Sequence, residues 1–244
     1  MNETVDVLAF GAHPDDIELS CGGTVAKLVS LGYKVAIADI TQGEMGTRGT
    51  KQLRLKEAAS AAKILCVTYR RNLKIPDGGI TTTDSNLKKV ISLIRELRPR
   101  TLIIPHGLDR HPDHEHAHTL CKEAWFYAGL KKIRTSLNGK AQEAFRPDNY
   151  FEFLQWHHFQ PSFIVDITDA FETKMSACRA YSSQFHNPKS KDPETKLSDP
   201  EFLKHVQTEC AHFGHRIGVK YGEAFYSPLL IGVANPLTLL TRRK

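Results

Sequence analysis

The chain has no run near the roughly 20 apolar residues needed to cross a bilayer, so no membrane segment is expected. Its five cysteines, Cys21, Cys66, Cys121, Cys178 and Cys210, are odd in number, far apart and never in a C-x-x-C pair. That pattern excludes a disulfide framework and a cysteine zinc site, and it indicates a reducing compartment. Each cysteine reads as a small core residue. Met1-Asn2-Glu3-Thr4 is too short and polar for a secretory leader, so a cytoplasmic location is expected. No G-x-G-x-x-G occurs; Gly22-Gly23-Thr24 comes nearest to a phosphate-binding helix start. Those glycines are expected instead to allow close packing behind a site. No basic stripe is interleaved with aromatics. The net charge of +6 comes from 33 Lys+Arg against 27 Asp+Glu, spread apart from Arg70-Arg71, Lys131-Lys132 and the tail Arg242-Arg243-Lys244. Neither nucleic acid nor membrane is an expected partner, while a small anionic molecule is.

What is present is an alternation of strands and helices. Val5 to Phe10 reads as a buried strand, Thr24 to Leu31 as a helix ending at Gly32, and Lys34 to Thr41 as a second strand. Arg54 to Leu65 is helical by composition. Asp84 is expected to cap a helix running to about Leu97, and Thr101 to Pro105 is a further buried strand. A helix follows Pro112 to about Ala128; Gly129 to Pro147 is irregular. Later strand candidates are Asn149 to Phe153, Phe163 to Val165 and Ala224 to Val233, and later helices Asp169 to Ala180 and Asp199 to Gly214. The polar, proline-containing stretch His186 to Pro200 reads as a mobile loop or lid. The expectation is an α/β fold of one domain, residues 1–244: a Rossmann-like three-layer sandwich with a mainly parallel sheet. Residues 1–128 form the core, and 129–244 form a C-terminal elaboration that completes the pocket.

In a parallel sheet, loops after successive strands share one edge. His13, Asp15 and Asp16 follow the first strand, and Asp109 to His116 follows Thr101–Pro105, so the two stretches should meet. The set holds imidazoles and carboxylates without thiolates. Three such ligands and one open position make a catalytic zinc site. His13 and Asp16 are spaced to reach one ion, which leaves Asp15 free to take a proton. Spacing alone leaves His111, His114, His116 and His118 as candidates for the third ligand, with His116 turned away from His114. A phosphoesterase would carry more bridging carboxylates for two metals. A mere sugar- or nucleotide-binding protein would not need a free base beside a metal.

Ala12-His13-Pro14-Asp15-Asp16 together with His111-Pro112-Asp113-His114 resembles the signature of the LmbE/PIG-L family of zinc-dependent N-acetylglucosaminyl deacetylases. Leu53 to Ala59, Asn72-Leu73 with Pro76-Asp77-Gly78, Tyr181 to Phe185 and Tyr221 to Phe225 resemble further family motifs, so the likeness covers nearly the whole chain. Ile17 stands between the Asp pair and Glu18, a spacing similar to the branch that deacetylates N-acetylglucosaminyl-malate in bacillithiol biosynthesis. The resemblance implies one Zn2+ per chain, with Fe2+ as the alternative, held by His13, Asp16 and His114. It makes Asp15 the general base, His111 the oxyanion partner or proton donor, and Asp113 the carboxylate that orients a histidine. Arg54 matches a substrate-binding arginine, Arg110 is expected to help hold the site, and Arg146 is expected to contact an anion. The implied substrate is an anionic amino-sugar conjugate, and the implied assembly a homo-oligomer, a trimer or hexamer.

Overall fold

The computed structural model describes residues 4–239, so the opening tripeptide and the basic tail from Arg242 lie outside the described residues. The chain runs β1 (Val7–Gly11), α1 (Asp16–Ser30), β2 (Val35–Asp39), α2 (Lys51–Ile64), β3 (Tyr69–Asn72), α3 (Asp84–Leu97), β4 (Thr101–Pro105) and α4 (Pro112–Ala128). A small hairpin, β5 (Ser136–Leu137) and β6 (Lys140–Ala141), follows. Then come β7 (Asn149–Phe153), β8 (Phe163–Asp166), α5 (Phe171–Arg179), α6 (Phe202–Arg216) and β9 (Gly222–Tyr226). The main sheet has seven strands in the order β3-β2-β1-β4-β7-β9-β8. The first five are mutually parallel, and β9 runs antiparallel between β7 and β8.

Alternation along the strands builds the layers. Leu8 and Phe10 of β1 face one side with Ala36, Ala38, Leu102 and Ile104, and there meet Val90, Ile94, Leu97, Leu120 and Ala124 of α3 and α4. Val7 and Ala9 face the other side with Ile37 and Ile103, against Val25 of α1, Ala58 and Ala61 of α2, and Ala177 of α5. This is the expected three-layer α/β sandwich. The C-terminal part adds β7, β9 and β8 to one edge, with α6 packed on β9.

Several expectations move by a few residues. α1 starts eight residues earlier than the helix expected from Thr24, straight from the polar loop. Thr83, rather than Asp84, caps α3, its side chain accepting from the Asn86 N–H. The last strand begins at Gly222 and stops at Tyr226, and the apolar residues Leu229 to Val233 beyond it are exposed. Four cysteines are buried, but Cys66 is exposed where α2 ends, and all five are free. Among the described residues, no helix is long and apolar enough to cross a membrane.

β1 is the switch point. The chain proceeds from it to β2 and β3 on one side and returns to β4 on the other. The crevice beyond the C-terminal ends of β1 and β4 is where open α/β sheets bind ligands.

Candidate active site

Both polar loops open onto that crevice. β1 ends at Gly11, and the chain turns through His13 and Pro14 to Asp15, whose φ of 112° is strained for a residue with a Cβ. Asp15 is the N-cap of α1, and the His13 N–H donates back to Asp16 Oδ2 at 2.8 Å. The second loop ends in a tight helix start. Pro112 occupies the first turn of α4, and His111 is the N-cap, its Nδ1 accepting from the Asp113 N–H at 3.2 Å. In neutral His111 the proton therefore sits on Nε2, as a donor.

His13, Asp16 and His114 each offer one ligand atom within 4.8 Å of the others. His114 Nε2 is 3.4 Å from Asp16 Oδ1, and His13 Nδ1 is 3.8 Å from Asp16 Oδ2. The far nitrogen of each imidazole is held by carboxylates. His114 Nδ1 lies 2.9 Å from Asp109 Oδ1, while His13 Nε2 lies 3.0 Å from Asp77 Oδ1 and 3.4 Å from Asp113 Oδ2. Carboxylate–imidazole pairs of this kind fix the orientation and basicity of metal ligands. The donor set therefore fits a divalent cation: nitrogen and oxygen atoms, with four carboxylates around two imidazoles. His13, His111 and Asp113 form a second group within the same distance, but its His111 Nδ1 is already engaged in the helix cap. His116 is exposed, and His118 Nδ1 binds the Pro105 carbonyl at 3.1 Å, away from His13.

The electrostatics separate the two aspartates. Burial raises the Asp15 pKa, and Arg54 opposes it only in part, leaving it at about 7. Burial would also raise Asp16, but His114 and His13 outweigh it and hold that carboxyl well below the usual range. Burial would lower His13 and His114; the carboxylates reverse this, bringing them to about 10 and about 9. His111 is lowered, by burial and then by His13 and His114.

Arg54, expected to bind substrate, borders the cavity and is also tied to Asp15. Its Nη2 lies 3.0 Å from Asp15 Oδ2 and 2.5 Å from the Pro14 carbonyl, and its Nη1 is 3.3 Å from the Gly43 carbonyl. The guanidinium is buried, holds Asp15 through Nη2, and has no partner at Nε among the described residues. Gly43 makes room for it: at φ +64°, an added Cβ would lie 2.0 Å from Arg54 Nη1. Arg110 borders the cavity with its guanidinium 4.4 Å from the Trp156 ring centre. Arg146 is not brought to the cavity. It binds the Phe126 carbonyl through Nε and Nη2, at 3.1 and 2.7 Å, and so closes the end of α4.

The cavity measures about 760 Å³. Beyond the residues already named it is bordered by Gln155 and Trp156 after β7, Lys196, and Phe202 and Val206 of α6. Sequence reasoning missed the roles of Asp77, which contacts His13, and of Asp109 and Gln155, which contact His114. It also missed how the glycine-rich loop carrying Gly43, Gly46 and Gly49 meets the stretch from His186. Arg48 donates to the Ser183 and Pro193 carbonyls, both at 3.1 Å. Lys196 of that stretch lies 3.7 Å from the Trp156 ring centre.

Residues 8–125 match the PIG-L family, described as GlcNAc-PI de-N-acetylase. A diacetylchitobiose deacetylase of Thermococcus kodakarensis is 30% identical over 236 residues, which cover 91% of this chain and 82% of that one. A 1D-myo-inositol 2-acetamido-2-deoxy-alpha-D-glucopyranoside deacetylase of Mycobacterium leprae is 30% identical over 163 residues, 53% of each chain. This chain thus spans about half the length of that relative. The solved structure of the conserved protein TT1542 from Thermus thermophilus matches with a TM-score of 0.84 at 37% identity, covering 95% of this chain and 98% of that one. The matched segment carries both polar loops, and the likeness to the archaeal deacetylase runs through the C-terminal part as well: the chain belongs to the PIG-L/LmbE family of deacetylases.

Proposed function

We propose that this chain is a metal-dependent N-deacetylase that hydrolyses the acetamide of an N-acetylglucosaminide to acetate and a free amine. The observation that carries the reading is the place of Asp15: a buried carboxylate 3.0 Å from Arg54, standing next to the candidate metal ligands without being one of them. A general base must stand within reach of the water it deprotonates, and burial raises the basicity of this carboxylate.

His13, Asp16 and His114 would hold the ion, and Zn2+ suits three nitrogen and oxygen ligands with an open position, with Fe2+ as the alternative. Such an ion supplies Lewis-acid polarisation of the acyl carbonyl and lowers the pKa of water. Asp15 takes the proton of the attacking water and returns it to the departing sugar nitrogen. The Nε2–H of His111 donates to the oxygen that gains charge as the carbonyl becomes tetrahedral. Asp77 and Asp113 keep His13 in place, Asp109 keeps His114, and Arg54 keeps Asp15 aimed.

The finer substrate proposed is N-acetylglucosaminyl-malate, as in bacillithiol biosynthesis. Arg110 and Lys196 support an anionic aglycone. Both border the cavity, both lie over Trp156, and neither forms an ion pair among the described residues. A neutral disaccharide is the second reading, favoured by the likeness to the diacetylchitobiose deacetylase over 91% of this chain. Acetate release from N-acetylglucosaminyl-malate, N-acetylglucosaminyl-inositol and diacetylchitobiose separates the two. The malate conjugate is expected to have the highest kcat/KM, and release from none of them would refute the deacetylase reading. A cytoplasmic site of action agrees with five free cysteines. A homo-oligomer, trimer or hexamer, belongs to the same proposal. The exposed apolar run Leu229-Leu230-Ile231 supports it, and sedimentation would test it.

A further inference from the structure

α1 is broken, and an ion pair from two other elements fills the break. At Cys21 the backbone leaves helical angles (φ −136°, ψ 20°), which divides α1 into a short first piece after Asp15 and a longer second one. A helix start leaves its leading N–H groups without intrahelical partners, and a helix end leaves its last carbonyls so. Here Glu223 of β9 accepts from the Gly23 N–H at 2.9 Å through Oε1 and from the Thr24 N–H at 2.7 Å through Oε2. Lys174 of α5 donates from Nζ to the Leu19 carbonyl and to Glu223 Oε1, each at 2.7 Å. Both side chains are buried, Lys174 completely. Gly23 permits the close approach, since an added Cβ would lie 2.7 Å from Ile167 and 3.0 Å from Glu223 Oε1.

A buried ion pair is in itself a weak stabiliser, because well-packed apolar side chains of similar size often serve as well or better. This pair has a more specific geometry. It is bonded to the backbone on both sides of the break, and the shorter side carries Asp16 immediately after Asp15. We propose that Lys174 and Glu223 are positioning residues that set the angle between the two pieces of α1, so that Asp15 meets Arg54 and Asp16 meets His114. The proposal rests on the deacetylase reading of the site. It adds two residues, from α5 and β9, that act through the backbone of α1. Glu223 also borders the cavity, so direct contact with substrate is the competing role.

The test uses the full-length protein with Lys174→Met/Glu223→Leu, which removes both charges together, and Glu223→Gln, which keeps one acceptor oxygen. Zinc titration of metal-free protein reads the aim of Asp16 without any substrate. Acetate release at saturating zinc reads the aim of Asp15, a crystal structure of the double variant reads the Asp15–Arg54 contact directly, and thermal melting checks folding. Expected are zinc affinity and kcat each lowered about 10–100-fold, KM little changed, Asp15 beyond hydrogen-bond reach of Arg54, and Glu223→Gln between wild type and the double variant. If the double variant fails to fold, Glu223→Gln is read by the same zinc and kcat criteria. Unchanged zinc affinity and kcat in a folded variant, or a rise in KM alone, would overturn the proposal. Wild-type protein that binds zinc yet releases no acetate would overturn the deacetylase reading by itself, and the zinc affinities would still decide the positioning role.

Discussion

The Arg54 guanidinium reaches from α2 to within 3.0 Å of the Asp15 carboxylate, and the contact is buried on both sides. It joins the first turn after β1 to a helix that starts more than thirty residues later, beyond the glycine-rich loop. Its consequence is that Asp15 is held without being neutralised.

Arg54→Met should therefore leave the metal ligands intact and harm the base. Hydrogen bonds to charged groups contribute about 1.5–3 kcal/mol. At 1.4 kcal/mol per factor of ten, kcat should drop about 10–100-fold with zinc stoichiometry retained. The pH profile gives the sign independently. Burial raises the Asp15 pKa and Arg54 lowers it, and a base must be ionised to act. Activity should therefore fall as pH drops and Asp15 takes up its proton, and the acid limb of kcat/KM should move to higher pH in the variant. A limb that stays in place would separate Arg54 from Asp15.

Asp109→Asn bears on the metal. Asp109 Oδ1 is 2.9 Å from His114 Nδ1 and 2.9 Å from the His111 N–H, and its Oδ2 accepts from the Trp156 N–H at 3.0 Å. The amide replaces a charged partner of the imidazole with a neutral one. Zinc affinity is expected to weaken by about 10–100-fold, measured by competition with a chromogenic chelator. Unaltered affinity would show that His114 is oriented by other contacts.

Arg70→Met tests the frame behind the site. Arg70 pairs with Asp39 through Nε at 2.8 Å and Nη2 at 2.7 Å, and with the fully buried Glu18 through Nη1. Removing the cation strands two buried carboxylates, and breaking a buried pair in this way costs about 3–5 kcal/mol. Urea unfolding should show a loss of that order, and Arg70→Met/Glu18→Gln should recover part of it. A loss below about 1 kcal/mol would mean that water reaches these groups, as in an exposed pair.

The sheet and the two polar loops were legible because their signals are local. β1, β2 and β4 are largely apolar runs, as buried parallel strands are, His13 and Asp16 follow closely on β1, and the H-P-D-H stretch lies where the loop after β4 enters α4. Asp77 was visible only as part of a Pro-Asp-Gly turn, since nothing in its spacing ties it to a histidine 64 positions away in sequence. Asp109 lay inside the stretch expected to meet His13, yet its role depends on the turn that returns it to His114. Arg54 was chosen by the family resemblance, and Arg146 by residue type and position. Neither ground reveals that the first also holds Asp15 or that the second binds a helix carbonyl. The placement of β9 between β7 and β8 is a long-range pairing that strand patterning cannot specify. Its early end is local, at Ser227-Pro228, where proline lacks the N–H that a ladder needs.

The central claim is a division of labour in one short turn, with Asp16 holding the metal together with His13 and His114, and Asp15 acting on water. Its most direct test measures zinc content and acetate release from an N-acetylglucosaminide for wild type, Asp15→Asn and His114→Ala. Asp15→Asn should retain one zinc per chain while losing about 10²–10⁴ in rate, and His114→Ala should lose the zinc. Near-wild-type acetate release from Asp15→Asn, or full zinc retention by His114→Ala, would contradict the account.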